Sequence, residues 1–280
     1  MSFIQIIALA VVQGITEFLP ISSSGHLILG SWLFNWPDQG LVFDTAVHVG
    51  TLAAVITYFR REWIQLFFGI GRNQLVEVDD SGGVIRARSL VLLILMGTVP
   101  LAIGGLLMKD SIETNFRTPE AVGWSLLVTA VVLLVGELVG RRNRDLSTLR
   151  LPDSVIIGFA QMLSVLPGIS RSGMTISIAI GLGMTRAAAA RFSMLLATPA
   201  IAGAGLLLAA NSVNAAAPVN WYAALLGACI SAFTGYLVIA GLIRFLKTRS
   251  FRPFIVYCVI LGILVLAATY SGFYSKIYPF

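Results

Sequence analysis

Long apolar runs separated by short polar gaps dominate the chain. They cover about residues 42–59, 89–108, 121–140, 192–210, 221–246 and 253–273. Each approaches the roughly 20 residues a helix needs to cross the hydrocarbon core of a bilayer, so the pattern predicts six full transmembrane helices. Two further apolar segments are interrupted. Residues 4–34 break at Pro20-Ile21-Ser22-Ser23-Ser24-Gly25, and residues 154–184 break at Pro167-Gly168-Ile169-Ser170-Arg171-Ser172-Gly173. Pro20 and Pro167 read as helix breakers, because proline removes an amide donor and clashes with the preceding turn. Each interrupted segment is therefore expected to form half-helices around a polar tip.

Composition makes the membrane assignment firm. The 280 residues are 57% hydrophobic and only 11% charged, against about 25% charged in an ordinary soluble domain. Mean hydropathy is +0.89. A soluble enzyme, a disordered tail and a coiled coil are excluded. The formal charge of +6 does not point to nucleic acid, because the charges sit in the gaps between apolar runs, where they set topology. Cys229 and Cys258 each lie inside an apolar run and form no metal-spaced cluster. Both are expected to be small buried hydrophobes.

Basic residues assign the sides. Thirteen of the nineteen fall in three stretches: Arg60, Arg61, Arg72, Arg86 and Arg88; then Arg141, Arg142, Arg144 and Arg150; then Arg244, Lys247, Arg249 and Arg252. The gap 109–120 sets Lys109 and Arg117 against Asp110, Glu113 and Glu120, and the gap 211–220 has no basic residue. The positive-inside rule places the first three stretches in the cytoplasm and the other two gaps outside. Connectivity then requires segment 154–184 to enter from the cytoplasm and return there. Segment 4–34 must enter from outside and return outside. Both are predicted to be re-entrant hairpins, a backbone tolerated at depth only where protein or a wet cavity surrounds it. No Lys or Arg precedes Arg60, so residues 2–19 lack the basic region of a signal peptide and are expected to belong to the mature fold.

The two interrupted segments also resemble each other. At an offset of 148 residues Gln13 meets Gln161, and Ile21-Ser22-Ser23-Ser24-Gly25 meets Ile169-Ser170-Arg171-Ser172-Gly173. One residue further on in offset, Phe43 meets Phe192. Each half then reads as one hairpin and three spans, with repeat one in residues 1–140 and repeat two in 151–280 of a single membrane domain. Three spans is an odd number, so the halves are expected to lie inverted. That arrangement in transporters marks a site near the midplane.

A charge deep in a membrane is costly and usually functional. Segment 4–34 carries Gln13, Thr16, Glu17, Ser22, Ser23, Ser24 and His26; segment 154–184 carries Gln161, Ser164, Ser170, Arg171, Ser172 and Thr175. Gln13 and Glu17 are four apart and share a helix face. Hydroxyls and unpaired amides at half-helix N-termini make an anion site, and Arg171 adds a planar fork suited to phosphate. Glu17 would repel an oxyanion unless a divalent cation lay between them, as Mg²⁺ does between carboxylates and phosphates. His26 has nucleophilic and acid–base chemistry available. The cluster therefore suits a phosphate or diphosphate. Simpler readings stand beside this one. Small residues close-pack membrane helices, Arg171 and Glu17 would pair to hold the hairpins together, and Gln161 would hydrogen-bond across helices. Asp44 and His48, at the outer start of span 42–59, fit packing as well as ligation. Trp32, Trp36, Trp63, Trp124 and Trp221 fit interface anchoring.

At the two tips the chain resembles the undecaprenyl-pyrophosphate phosphatase family, also called the bacitracin-resistance family. The first motif reads Gln13-Gly14-Ile15-Thr16-Glu17-Phe18-Leu19-Pro20-Ile21-Ser22-Ser23-Ser24-Gly25-His26, and the second reads Pro167-Gly168-Ile169-Ser170-Arg171-Ser172-Gly173-Met174-Thr175. The resemblance implies an all-α polytopic enzyme of six spans and two re-entrant hairpins in an inverted repeat. It implies hydrolysis of a C55 polyprenyl diphosphate to the monophosphate and inorganic phosphate, which recycles the carrier for cell-wall synthesis and removes the target of bacitracin. It further implies Mg²⁺ or Ca²⁺, a bacterial cytoplasmic membrane, and a site on the outer face. By the same resemblance Glu17 holds the metal or acts as base, with Gln13 as a weak second ligand. Arg171 binds the diphosphate with Ser22, Ser24, Ser170, Ser172 and Thr175. Ser23 and His26 are rival nucleophiles, with Ser23 attacking and His26 as its partner preferred. Many relatives carry Glu where this chain has Gln13, which cannot hold charge. The expected partners are a polyprenyl diphosphate lipid and the bilayer, with a homodimer left open and no nucleic acid. A transporter or flippase of lipid-linked phosphate is the alternative from another class.

Overall fold

A computed structural model describes residues 1–37, 39–78, 83–213 and 220–272. The chain folds into eleven α-helices among these residues: α1 (Phe3–Thr16), α2 (Ser23–Leu33), α3 (Leu41–Tyr58), α4 (Arg60–Gly69), α5 (Ala87–Asn115), α6 (Pro119–Val139), α7 (Leu151–Met162), α8 (Arg171–Gly181), α9 (Arg186–Val213), α10 (Trp221–Leu246) and α11 (Arg252–Tyr270). Six of them, α3, α5, α6, α9, α10 and α11, are long and apolar enough to cross a membrane, and they coincide with the six expected spans. Exposed apolar side chains cover their outer faces, such as Leu107 and Leu138 or Val256, Ile260 and Leu264. Water would not tolerate that surface; a bilayer covers it. The expected gap 211–220 lies partly, and the end of span 253–273 just, outside the described residues.

The interrupted segments fold as their prolines dictate. α1 ends before a break at residues 17–22, and α2 follows. α7 runs into a 3₁₀ turn at Leu163–Val165, and α8 starts at Arg171. Each of the four is too short to span a bilayer alone. α1 lies against α10, and α7 lies against α5, while α2 and α8 both rest on α6. Glycine lets the backbones meet: a Cβ on Gly158 of α7 would stand 2.6 Å from the Gly97 carbonyl of α5.

Three features depart from the sequence reading. The stretch 60–88, expected as a basic loop in an all-α chain, contains α4 and a small antiparallel hairpin, β1 (Leu75–Glu77) with β2 (Val84–Arg86). α9 begins six residues before its expected start. Its first turn is capped, Ala188 N–H donating to Thr185 Oγ1, and the charge of Arg186 is taken up by Glu137 at 2.6 Å. Cys258 is buried as expected, but Cys229 is exposed, because a lipid-facing helix is apolar on both its faces.

Charged residues gather at one end of the bundle. Glu137 accepts from Arg142, from Nε and Nη2 of Arg186 and from the Phe251 amide. Arg191 pairs with Glu62 at 2.5 Å. Arg144 reaches Asp153, at the start of α7, and the carbonyl of Leu182, just past α8. One arginine thus ties both ends of the second interrupted segment together.

Candidate active site

The two breaks meet. Ser172 Oγ donates to the Leu19 carbonyl at 2.9 Å, and a Cβ on Gly25 would stand 3.1 Å from Gly168 Cα. Gly168 has φ +89° and lies against Val122 and Ser125 of α6, so that turn suits glycine alone. The backbone around Ser170 is fixed by Thr129 of α6, whose hydroxyl accepts from the Ser170 amide at 3.2 Å.

Glu17 is the hub. Its side chain is 6% exposed. Oε1 accepts from Arg171 Nη2 at 3.0 Å. Oε2 accepts from Ser23 Oγ at 2.6 Å and from Gln13 Nε2 at 2.9 Å, and His48 Nε2 stands 4.0 Å away. The internal offset explains part of this. Ser22 caps α2 and Ser170 caps α8, each accepting from the amide three residues on. Ser23 and Arg171 are therefore equivalent first residues of their helices, and both reach the same carboxylate. The expected ion pair between Arg171 and Glu17 exists, but it lies in a cavity wall and is not sealed in the core.

That cavity has a volume of about 640 Å³. Its polar end is formed by Glu17, Ser22, Ser23, Ser24, His48, Ser170 and Arg171. Its apolar wall comes from α5 and α9, including Leu101, Leu106, Ala204 and Leu207. Two helix N-termini open on the polar end, where first-turn amides and the helix dipoles favour an anion. Arg171 uses one N–H group on Glu17 and has four more to offer a phosphate. Ser172 and Thr175 are turned inward instead. Ser172 holds Leu19, and Thr175 pairs with Ser193 Oγ at 2.7 Å.

The two histidines lie differently. His48 lines the cavity. Its Nδ1 lies 2.7 Å from the Asp44 carbonyl, which can only accept, so Nδ1 carries a proton and Nε2 faces Glu17. His26 is not among the cavity-lining residues. Its Nδ1 donates to the Ser22 carbonyl and its Nε2 meets the Tyr257 hydroxyl, both at 2.7 Å. The sequence marked His26 through its motif and left His48 open, because a histidine near a span end has an ordinary interfacial explanation.

Among the described residues no three His, Cys, Asp or Glu side chains gather to hold a metal by themselves. Gln13 nevertheless offers a carbonyl. Its Oε1 is buried without a hydrogen-bond partner, on the side chain that touches Glu17. An orphaned amide oxygen beside a carboxylate fits a hard cation that takes its other ligands from phosphate and water.

Comparison with known proteins identifies the family. The family model described as bacitracin resistance protein BacA matches residues 6–264. This chain belongs to the bacitracin resistance protein family. Undecaprenyl-diphosphatase of Alcanivorax borkumensis is 43% identical over 267 residues, covering 95% of this chain and 98% of that protein. Undecaprenyl-diphosphatase 2 of Stutzerimonas stutzeri is 43% identical over 275 residues, covering 97% and 100%. Undecaprenyl-diphosphatase of Nitrosococcus oceani is 43% identical over 265 residues, covering 95% and 98%. The chain is a multi-pass bacterial membrane protein.

Proposed function

We propose that this member of the family hydrolyses undecaprenyl diphosphate to undecaprenyl phosphate and inorganic phosphate, recycling the lipid carrier and conferring bacitracin resistance. The observation that carries the reading is the Ser23–Glu17 contact of 2.6 Å inside a cavity with one anion-binding and one apolar end. A carrier of lipid phosphate needs the anion site; it does not need a hydroxyl held on a base.

In this mechanism the terminal phosphate sits on the α2 and α8 amides and on Arg171, and the isoprenoid lies along α5 and α9. Ser23 Oγ attacks the terminal phosphorus as Glu17 takes its proton. A bond forms from Oγ to phosphorus, the bridging P–O bond breaks, and undecaprenyl phosphate leaves, taking the proton from Glu17 on its former bridging oxygen. Water then attacks the phosphoserine as the freed Glu17 carboxylate accepts its proton; the Oγ–P bond breaks, Glu17 returns that proton to Ser23 Oγ, and phosphate departs. Mg²⁺ or Ca²⁺, held by Glu17 and Gln13, would screen the phosphate charge from the carboxylate. Helix amides and Arg171 stabilise the equatorial oxygens, in the manner of preorganised donors generally.

The finer architecture belongs to the same proposal. Two repeats, 1–140 and 151–280, lie inverted, and each opens with a re-entrant hairpin. Support comes from Arg144 binding both ends of segment 154–184 and from the reciprocal rests of α1 on α10 and α7 on α5. The membrane is the cytoplasmic one, with the site on its outer face.

Purified protein with Mg²⁺ should release phosphate from farnesyl or undecaprenyl diphosphate. Ser23→Ala should lose about 10³-fold or more in kcat, the scale of losing an activated nucleophile. Absence of release by the native protein, or undiminished release by both Glu17→Ala and Arg171→Ala, would overturn the reading.

A further inference from the structure

We propose that His26 and Tyr257 are positioning residues: together they clamp the strained Ser22 carbonyl, and so hold Ser23 on Glu17. The inference rests on Ser23 being the attacking group, and it gives His26 a role other than chemistry.

Ser22 is the origin of the need. Its φ is +73° with ψ 105°, a region that residues bearing a Cβ seldom occupy. Ser22 caps α2, so its backbone decides where Ser23 points. Such a conformation persists only when its surroundings over-determine it. Here the Ser22 carbonyl accepts twice from one residue, from the His26 amide at 3.3 Å and from His26 Nδ1 at 2.7 Å. The Ser22 hydroxyl accepts from the Gly25 amide at 3.3 Å. The whole first turn of α2 thus folds back on one peptide.

The imidazole is oriented in turn. A carbonyl can only accept, so Nδ1 carries a proton and Nε2 is left as the acceptor for the Tyr257 hydroxyl at 2.7 Å. The two rings also stack, with centroids 5.7 Å apart and planes 11° from parallel. Tyr257 belongs to α11, and its neighbour Cys258 places Sγ 3.7 Å from the Pro20 carbonyl. One turn of α11 therefore braces the break between α1 and α2 at two carbonyls, one directly and one through His26. With both ring nitrogens engaged, His26 reaches the phosphate only by abandoning both contacts.

The test separates holding from chemistry. The Asn side-chain amide can reproduce the Nδ1–H donor but has neither nucleophilic nor basic nitrogen. We expect His26→Ala to lose about 10²-fold in kcat with an unchanged KM for farnesyl diphosphate. We expect His26→Asn to recover about tenfold of that loss, and Tyr257→Phe, which keeps the ring and removes the hydroxyl, to lose about tenfold in kcat alone, magnitudes typical of displaced catalytic groups. His26→Ala/Tyr257→Phe should be no slower than His26→Ala, since the two residues act in series. Equal inactivity of His26→Asn and His26→Ala, native kcat in Tyr257→Phe, or a trapped phosphohistidine at position 26 would each overturn the clamp. Ser23→Ala, assayed in parallel, judges the other reading: activity there removes the serine mechanism, whereas an inert Ser23→Ala beside a native-like Tyr257→Phe removes the clamp alone.

Discussion

Arg171 is 13% exposed at its side chain and touches a carboxylate that also accepts from the Ser23 hydroxyl. In the proposed mechanism its value lies in being a fork: one N–H group restrains Glu17 while the others remain for phosphate. Lysine would keep the charge and lose that division. Arg171→Lys should lower kcat/KM for farnesyl diphosphate by about 10²-fold, the cost of one preorganised donor, with Tm in detergent close to native; equal kcat/KM would show that charge alone suffices. Glu17, Ser23 and Arg171 were legible in the sequence because a polar residue in an apolar run is costly and needs a reason. His48 was not, since its meaning depends on α3 passing beside the end of α1. Nor was the direction of His26, which is set by a strained carbonyl and by a tyrosine 231 residues away.

Helices α5 and α7 show how tightly the elements that carry the site are held. Gly158 meets the Gly97 backbone, and Gln161, one turn later on α7, donates to the same Gly97 carbonyl at 3.0 Å. A backbone cannot yield as a flexible side chain can. Gly158→Ala should therefore destabilise the fold by about 1–3 kcal/mol, the usual cost of overpacking, read as a lower Tm in detergent. Gly241→Ala is the control. Gly241 lies within α10 with nothing within 4 Å of its added Cβ, so this change should leave Tm unchanged or raise it slightly. A fall in both would trace the loss to the helices themselves and not to their contact. At this scale the six spans were plain from hydropathy. The first turns of α9, the helix α4 and the β1–β2 hairpin were hidden, because the charged residues in or beside them, such as Arg186, Arg60, Arg61 and Arg86, read as loops between spans.

Across the whole molecule, the two halves supply different parts of one site. Break one gives the carboxylate and hydroxyl, break two gives the arginine, and the apolar wall is shared between α5 and α9. Both of those helices contain a proline, Pro100 and Pro199. Sequence could place each polar tip, yet the wall depends on which helices flank the tips, a matter of tertiary packing. The wall predicts how substrate length is felt. Gly203 lines it, and a Cβ there would meet nothing within 4 Å, so a large side chain can enter the cavity without disturbing the fold. Gly203→Trp should lower kcat/KM for farnesyl and undecaprenyl diphosphates by about tenfold or more, the scale of lost apolar contacts in a pocket. It should leave isopentenyl diphosphate, with a single isoprene unit, near its native kcat/KM, because the phosphate end is untouched. An equal fall for all three substrates would mean that position 203 acts on the polar end. No fall for the long substrates would mean that the isoprenoid leaves the site by a path other than the α5–α9 wall.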